Sequence, residues 1–185
     1  MDAAAFHAPP DSGGAETRGQ VLRHPLIRFH LHDCRLGPRS RYRQRMPPIL
    51  DKTIRISESH LDSFGHLNHA RYFELFEQAR WDIITERGFG IDVIRRTNTG
   101  PVILEASAKF LRELAPREAV VIQSELISYE RKVGKMRQRM VKADGDVACE
   151  ATFTFGLFDM ERRRLIDPTP EWAFAVGLDV PPAAG

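Results

Sequence analysis

A chain of 185 residues, 42% apolar and 28% charged, is long enough to bury the core of one domain and gives no reason to expect two. Its 27 basic and 25 acidic residues nearly cancel, which argues against nucleic acid or a membrane surface as a partner. Cys34 and Cys149 stand far apart, which excludes a disulfide framework or zinc ribbon. The two isolated cysteines indicate an intracellular, cytoplasmic protein. Since no apolar run approaches the ~20 residues that span a membrane, we expect it to be soluble.

Residues 1–45 are rich in proline, glycine and arginine and follow neither a helical nor a strand period, which predicts a disordered extension. Two interpretations of this segment stay open. Its arginines and scarcity of acids are typical of an organelle transit peptide, which would place the protein in an organelle matrix. Alternatively, it is upstream sequence before a true start at Met46. We expect the folded domain over residues 49–178 and a C-terminal tail over 179–185.

The first predicted element is a short strand over Lys52–Glu58, in which polar residues alternate with Ile54 and Ile56. A loop then leads to apolar residues at helical spacing. With Asn68 as N-cap and Gly88 past the end, this spacing predicts one helix of roughly 20 residues, ~30 Å long. The apolar positions of this helix are Tyr72, Leu75, Phe76, Ala79 and Ile83.

Strand patterns follow over residues 101–114, 119–129, 135–142 and 147–158. The connections at 115–118, 131–134 and 144–146 have the composition of hairpin turns, so we predict a meander. One long helix cannot cover two faces of a sheet, and the sheet is expected to curl around it in an α+β fold. Pro170 predicts a short closing helix whose Trp172 and Phe174 pack back on the domain.

The stretch from Asp62 to Arg80 reads D-S-F-G-H-L-N-H-A-R-Y-F-E-L-F-E-Q-A-R. It resembles the D-x-x-G-H-[VL]-N-N-x-x-Y-x-x-x-[FL]-E-x-x-R pattern of the 4-hydroxybenzoyl-CoA thioesterase-like branch of the hot-dog superfamily, and departs from it at His69, where a second Asn is usual. The resemblance extends more loosely over residues 49–178. It implies an antiparallel sheet of five or six strands wrapped around one long central helix. It also implies a homodimer or homotetramer that hydrolyses acyl-CoA to free acid and CoA, a reaction of fatty acid metabolism.

Thioester hydrolysis needs a carboxylate that attacks the carbonyl or activates water, and donors that hold the developing oxyanion. Asp62 is the predicted carboxylate, as nucleophile or general base, and the resemblance places the family's catalytic Asp at the same residue. The first amides of the helix, near Asn68 and His69, have no intrahelical acceptor and could form the oxyanion hole. Gly65 would let substrate approach closely. The simpler interpretation is that Asp62 only accepts backbone amides in its loop.

The other candidate catalytic residues each have a structural interpretation as well. His66 is expected either to orient Asp62 or contact substrate, or to be a hydrogen-bonding group of the turn. Asn68 fits a plain N-cap better than a catalytic role. Glu77 could replace Asp62 as the carboxylate, although an i,i+3 ion pair with Arg80 is the preferred interpretation. Tyr72 and Phe76 are expected in the core or in an acyl pocket, and spacing does not separate these.

Coenzyme A carries phosphates, so a local basic patch is expected, with Arg131, Lys132 and Lys135 as candidates. A solvated strand face without a ligand explains them equally well, and Arg162–Arg164 form another such run. No metal is expected, because the histidines at 60, 66 and 69 span a loop and a helix start, and His30, His32 and Cys34 lie in the predicted disordered segment. No cofactor is expected, since the CoA thioester is itself the substrate.

Two other functions compete with hydrolysis by an acyl-CoA thioesterase. A hot-dog enoyl-CoA hydratase would show D-x-N-P-x-H, whereas Ser63-Phe64-Gly65 separate Asp62 from His66 here. A non-catalytic acyl-thioester-binding module would not need the Asp62 motif. The acyl group, and the choice between CoA and acyl carrier protein as its carrier, depend on pocket shape and stay open.

Overall fold

The computed structural model describes residues 50–178, so the expectations for residues 1–45 and 179–185 lie outside the described residues. A 3-10 turn over Glu58–His60 precedes the first helix. The helices are α1 His69–Glu86, α2 Ile91–Thr97 and α3 Pro170–Ala175. The strands are β1 Leu50–Arg55, β2 Thr99–Phe110, β3 Ala119–Glu130, β4 Val133–Val141, β5 Val147–Asp159 and β6 Arg164–Ile166.

The strands form one antiparallel sheet in the order β1-β3-β4-β5-β2, with β6 paired to β5. The predicted α+β architecture and six-stranded sheet are confirmed. The predicted meander is correct only for β3 to β5, because β2 pairs with β5 rather than with β3. Residues 111–118 therefore cross from one edge of the sheet toward the other. On the way Leu114 is fully buried and its carbonyl accepts a hydrogen bond from the Leu67 amide, so this segment is a crossing and not a hairpin turn.

Helix α1 is the predicted central helix. It has 18 residues, or about 27 Å of length, and begins after Asn68, whose side chain accepts a hydrogen bond from the Ala70 amide. Gly88 follows the end with φ +87°. The five positions predicted to face the core are buried, and Ile84 joins them. Asn68 is thus confirmed as the N-cap, and the 3.6-residue period correctly identified the buried face.

The core divides along α1 into two clusters, which we name by their position. The loop-end cluster packs against the first half of α1 and contains Leu67, Tyr72, Phe76, Met140 and Cys149, among others. The far-end cluster packs against the second half and contains Ile84, Phe89, Phe155 and Trp172, among others. The outer face of the sheet is polar, with half-exposed ion pairs between Arg137 and Glu125 and between Arg139 and Glu150.

Three local features differ from the sequence-based expectations. Helix α2 and strand β6 were not predicted, since each is short and marked by no clear period. The predicted closing helix is present as α3 and buries Trp172, but Phe174 is 52% exposed, so the expectation that it packs into the domain was wrong. Its ring instead lies 4.4 Å from the guanidinium carbon of Arg87. Among the described residues, none of the helices has the length and apolar character needed to cross a membrane.

Candidate active site

The loop that carries Asp62 is folded by its own backbone. A bridge between Leu61 and Leu67 closes it, and the Asp62 amide donates to the His66 carbonyl at 2.9 Å. The carboxylate atom Asp62 Oδ1 accepts the amides of Phe64 at 2.9 Å and His66 at 3.3 Å. The other carboxylate oxygen, Oδ2, has no hydrogen bond to any residue from 50 to 178. Asp62 therefore has the structural role of a turn residue and still presents one oxygen for chemistry.

Gly65 turns the chain inside this loop. Its φ is +81°, a left-handed conformation that strains any other residue, while a Cβ built there meets nothing within 4 Å. Within the protomer, glycine is thus required by backbone conformation rather than by crowding. The predicted close approach of substrate to Gly65 stays a prediction.

The start of α1 leaves one amide available beside this loop. The Asn68 amide donates to the His60 carbonyl at 2.9 Å, and the Ala70 amide is satisfied by Asn68 Oδ1. Between them the His69 amide has no acceptor within residues 50–178. It also lies at the positive end of an 18-residue helix. Of the two amides predicted for the oxyanion hole, His69 is the one that remains free to bind an anionic oxygen in the described part of the chain.

The histidines of the motif have separate contacts. The His66 Nε2 atom lies 3.2 Å from the Glu113 carboxylate, so His66 supports Asp62 through its amide and not through its ring. The His60 Nδ1 atom accepts the Ser57 amide and completes a capping box, and the His69 side chain is exposed. Among residues 50–178, no three His, Cys, Asp or Glu side chains converge as metal ligands would. The cluster around His30 and Cys34 lies outside the described residues.

Tyr72 and Phe76 lie in the loop-end cluster. The Tyr72 ring packs edge-on against Phe110, with centroids 5.1 Å apart, and Phe76 packs against Phe153 in the same manner. Burial is the main cause that raises the pKa of Tyr72 to about 12, and the negative charge of Asp62 adds to the shift. Both aromatic rings serve as core within the protomer. Whether either also lines an acyl pocket stays a prediction.

An apolar groove runs along the second half of α1, away from the Asp62 loop. Glu77 lines the end of the groove that is nearest to the Asp62 loop. It follows His69 by eight residues, which is about 12 Å along the helix axis. The groove therefore contains none of the Asp62 chemistry and is a separate feature of the molecule. Its apolar wall includes Ile83, Ile84, Ile103, Met136, Phe155 and Trp172.

Glu77 and Arg80 are the charged residues of this groove, and the predicted ion pair between them does not form within 4.0 Å. The Arg80 guanidinium instead donates to Gln138 Oε1 at 2.7 Å and lies 4.1 Å from the centroid of the Phe153 ring. Gln138 is fully buried, and its Nε2 atom donates a hydrogen bond to Ser124 Oγ at 2.8 Å. Burial lowers the pKa of Arg80 to about 10, and the nearby charge of Glu77 opposes this shift.

The sequence reasoning missed the Arg80–Gln138 network, although signals for it were present. Arg80 ends the motif that resembles the thioesterase pattern. Gln138 occupies a buried position of β4, between Met136 and Met140. A polar residue at an inward position of a strand indicates a partner inside the core.

The basic residues predicted to bind CoA phosphates lie far from Asp62 within one protomer. Arg131 and Lys132 form the turn between β3 and β4, and Lys135 follows on β4. The Asp62 loop adjoins the other end of β3, about 36 Å away along the strand. The second basic run, Arg162–Arg164, lies at the same end as Arg131, because β5 Gly156 sits between the Lys132 carbonyl and Leu165. Both basic runs thus lie at one end of the sheet, and Asp62 of the same chain lies at the other.

Comparisons with known proteins identify the family of the chain. The family model described as the thioesterase-like superfamily matches residues 54–176. The long-chain acyl-CoA thioesterase FadM of Escherichia coli (strain K12) is 27% identical over 114 residues, which cover 61% of this chain and 86% of FadM.

Two solved structures share the fold. The probable thioesterase YbaW from Escherichia coli has a TM-score of 0.62 at 24% identity, covering 74% of this chain and 100% of YbaW. The Staphylococcus aureus protein SAV2348, solved in complex with CoA, has a TM-score of 0.66 at 15% identity, covering 72% of this chain and 85% of SAV2348. The chain therefore belongs to the thioesterase-like superfamily, and the predictions of a hot-dog fold and of a thioester hydrolase are confirmed.

Proposed function

We propose that this protein hydrolyses acyl-CoA thioesters to a free acid and CoA, with Asp62 as the catalytic carboxylate. The observation that carries the proposal is the arrangement of the loop and helix start. Asp62 is held through Oδ1 by two backbone amides, its Oδ2 is open among the described residues, and the unpaired His69 amide lies at the head of α1. An anchored carboxylate beside a free helix-terminal donor is what attack on a thioester requires.

The chemistry follows from these two groups. The thioester oxygen accepts the His69 N–H, and the positive end of α1 stabilises the negative charge that develops on that oxygen. In one route Asp62 Oδ2 bonds to the carbonyl carbon, the C–S bond breaks, the CoA thiolate takes up a proton, and water then hydrolyses the acyl anhydride. In the other, Asp62 takes a proton from a water molecule as the water oxygen bonds to the carbonyl carbon, the C–S bond then breaks, and the proton passes to the CoA thiolate. Both routes require that no hydrogen-bond donor of the protein occupies Asp62 Oδ2.

The named relatives support CoA as the carrier of the acyl group. FadM is named as a long-chain acyl-CoA thioesterase, and SAV2348 was solved with CoA. We extend an acyl-CoA substrate to this chain on that basis. From the sequence alone we further propose a cytoplasmic role in fatty acid metabolism and no cofactor beyond the substrate.

We also propose that the active form is at least a homodimer. Strand β2 lies at the sheet edge and pairs on one side with β5; no second strand pairs with it in the described part of the chain. Antiparallel pairing of two β2 edges about a two-fold axis sets opposite ends of the strands side by side. It would thus carry the partner subunit's Arg131 toward the end of the sheet that holds Asp62. This arrangement would reconcile the predicted CoA contacts with their distance from Asp62 in one chain.

The test is release of free CoA from acetyl-, medium-chain, long-chain and aromatic acyl-CoAs by the parent protein and by Asp62→Asn. The amide keeps an oxygen for the loop hydrogen bonds but is a poor nucleophile and base, so kcat is expected to fall by roughly 10³-fold or more while the melting temperature changes little. Asp82→Asn, at an exposed position of α1, is the matched control and should behave as the parent. Hydrolysis that survives in Asp62→Asn but is lost in Glu77→Gln would move the catalytic role to Glu77.

A further inference from the structure

The groove along α1 combines an apolar wall with two charged side chains that form no ion pair with each other. Its wall is formed by aliphatic and aromatic side chains, which suits a hydrocarbon chain. Glu77 and Arg80 both line it. A groove that served only an unsubstituted hydrocarbon would gain nothing from charged groups, because their desolvation opposes binding.

Arg80 offers donors to the groove. Its NH1 atom donates a hydrogen bond to Gln138, and no other described residue accepts one from the guanidinium. A guanidinium has five N–H donors and no acceptor, so most of its capacity is unused. It is also fixed in place, since it stacks over Phe153 and is tied to a glutamine that itself bonds Ser124 and the Phe76 carbonyl.

Glu77 offers acceptors to the same groove. Its Oε1 atom receives a weak hydrogen bond from the Trp81 indole at 3.4 Å, and no described residue donates to Oε2. A carboxylate accepts but cannot donate, which is the reverse of Arg80. A carboxylate ligand would meet Glu77 unfavourably and an ammonium ligand would meet Arg80 unfavourably. A hydroxyl group fits both, because its oxygen accepts from Arg80 while its proton is donated to Glu77.

The position along the helix limits where such a hydroxyl would lie on the substrate. Glu77 and Arg80 follow His69 by eight and eleven residues, which is about 12 and 16 Å along the axis. Side chains of an α-helix lean toward its N-terminus, and the Arg80–Gln138 contact near the Phe76 carbonyl agrees with this. At about 1.3 Å per methylene, the reach from the His69 amide corresponds to roughly carbons 8 to 12 of an extended acyl chain.

We propose that this groove selects acyl chains that carry a hydroxyl group in mid-chain, bound between Glu77 and Arg80, an inference that rests on the proposed acyl-CoA hydrolysis. Phe73 lies on the same helix face between His69 and Glu77, half-buried against Phe153, and provides an apolar surface for the intervening methylenes. Glu77 is thus a specificity-determining residue in addition to being the alternative carboxylate considered from the sequence.

The test compares three acyl-CoAs of equal chain length: octadecanoyl-CoA, 10-hydroxyoctadecanoyl-CoA and 3-hydroxyoctadecanoyl-CoA. The parent is expected to hydrolyse the 10-hydroxy substrate with kcat/KM at least roughly tenfold above the other two, because only that hydroxyl reaches the charged pair. Glu77→Leu should bring all three within about twofold of one another. Asp82→Leu, an exposed position on α1 away from the groove lining, is the matched control and should keep the preference.

Arg80→Met tests the donor side and is expected to lose the same preference, with folding checked by its thermal melt. Glu77→Leu keeps the test valid if Arg80→Met does not fold, because Glu77 is exposed. Equal kcat/KM for the three substrates in the parent, or a preference that survives in Glu77→Leu, would overturn the inference and leave the hydrolase intact.

Calorimetric titration of Asp62→Asn with the same three compounds separates the inference from the proposed function. Tighter binding of the 10-hydroxy compound supports the groove assignment even if the parent releases no CoA, in which case only the proposed hydrolysis falls. Equal affinities for the three compounds would show that the groove does not recognise the hydroxyl group, and would reject the inference.

Discussion

The two halves of helix α1 differ in how the polar groups beside each half are hydrogen-bonded. At the first half, two backbone amides of the loop hold Asp62 through Oδ1, and its Oδ2 and the His69 amide have no partner among the described residues. At the second half, an aromatic core supports an apolar groove whose charged residues are held apart. The proposed catalytic carboxylate is thus positioned by backbone hydrogen bonds, and the proposed acyl-binding groove is formed by side-chain packing.

The largest effect is expected from removing the aromatic support of the groove. Trp172 is 2% exposed, packs edge-on against Phe89 and Phe155, and donates its indole N–H to Tyr129. Trp172→Ala should lower the free energy of unfolding by about 3–5 kcal/mol, measured by urea denaturation. Trp172→Phe should lose less. If Trp172→Ala were as stable as the parent, α3 would not be part of the core, and the contrast between the two halves would fail.

The next largest effect is a pH dependence of stability that arises from Tyr72 in the loop-end cluster. Because burial raises the pKa of Tyr72 to about 12, its neutral form stabilises the fold below the unfolded value near 10, and this contribution is lost as pH rises toward 12. The loss is about 1.4 kcal/mol per pH unit over that interval. Urea denaturation at increasing alkaline pH should show a smaller decline for Tyr72→Phe than for the parent. Arg80, whose pKa is lowered, acts in the opposite direction, but it is present in both proteins and does not alter the difference between them. Identical slopes would therefore mean that folding does not raise the pKa of Tyr72.

A third prediction concerns the close approach of strands at the far end. A Cβ at Gly156 would lie 2.7 Å from the Lys132 carbonyl oxygen, which is backbone and cannot rotate away. Gly156→Ala should therefore cost about 1–3 kcal/mol of stability, measured by thermal melting. Gly145→Ala provides a comparison, since that position has open space and only the strain of φ +91°. Equal losses in both variants would indicate that backbone conformation, not crowding, makes Gly156 necessary.

The smallest predicted change in stability is at the loop end. Asn68→Ala removes the acceptor for the Ala70 amide and should lower stability by about 1 kcal/mol. It should also reduce kcat, because the cap fixes the first turn that presents the His69 amide. Asn68→Ser, which can still cap, is expected to restore most of both. A loss of stability without any loss of kcat would argue against the His69 amide as the oxyanion donor.

Much of the site could be predicted because it is local in sequence. The Asp62 loop, the Asn68 cap and the buried face of α1 depend on turn chemistry and on a 3.6-residue period, both of which are visible within some 20 residues. The groove could not be predicted in this way. Arg80 finds Gln138 across 58 residues of sequence, and no short pattern indicates which strand will face a given turn of a helix.

The sequence by itself determined the strands at β1 and β5 and the central helix with its buried positions. Tertiary structure alone decided where the strands go and which side chains meet. Residues 115–118 have the composition of a hairpin turn, yet β2 lies beside β5, since strand pairing depends on long-range burial and not on the turn. Arg131 and Asp62 lie far apart, and Glu77 and Arg80 form no ion pair with each other, for the same physical reason: the packed fold sets the surroundings of each charge.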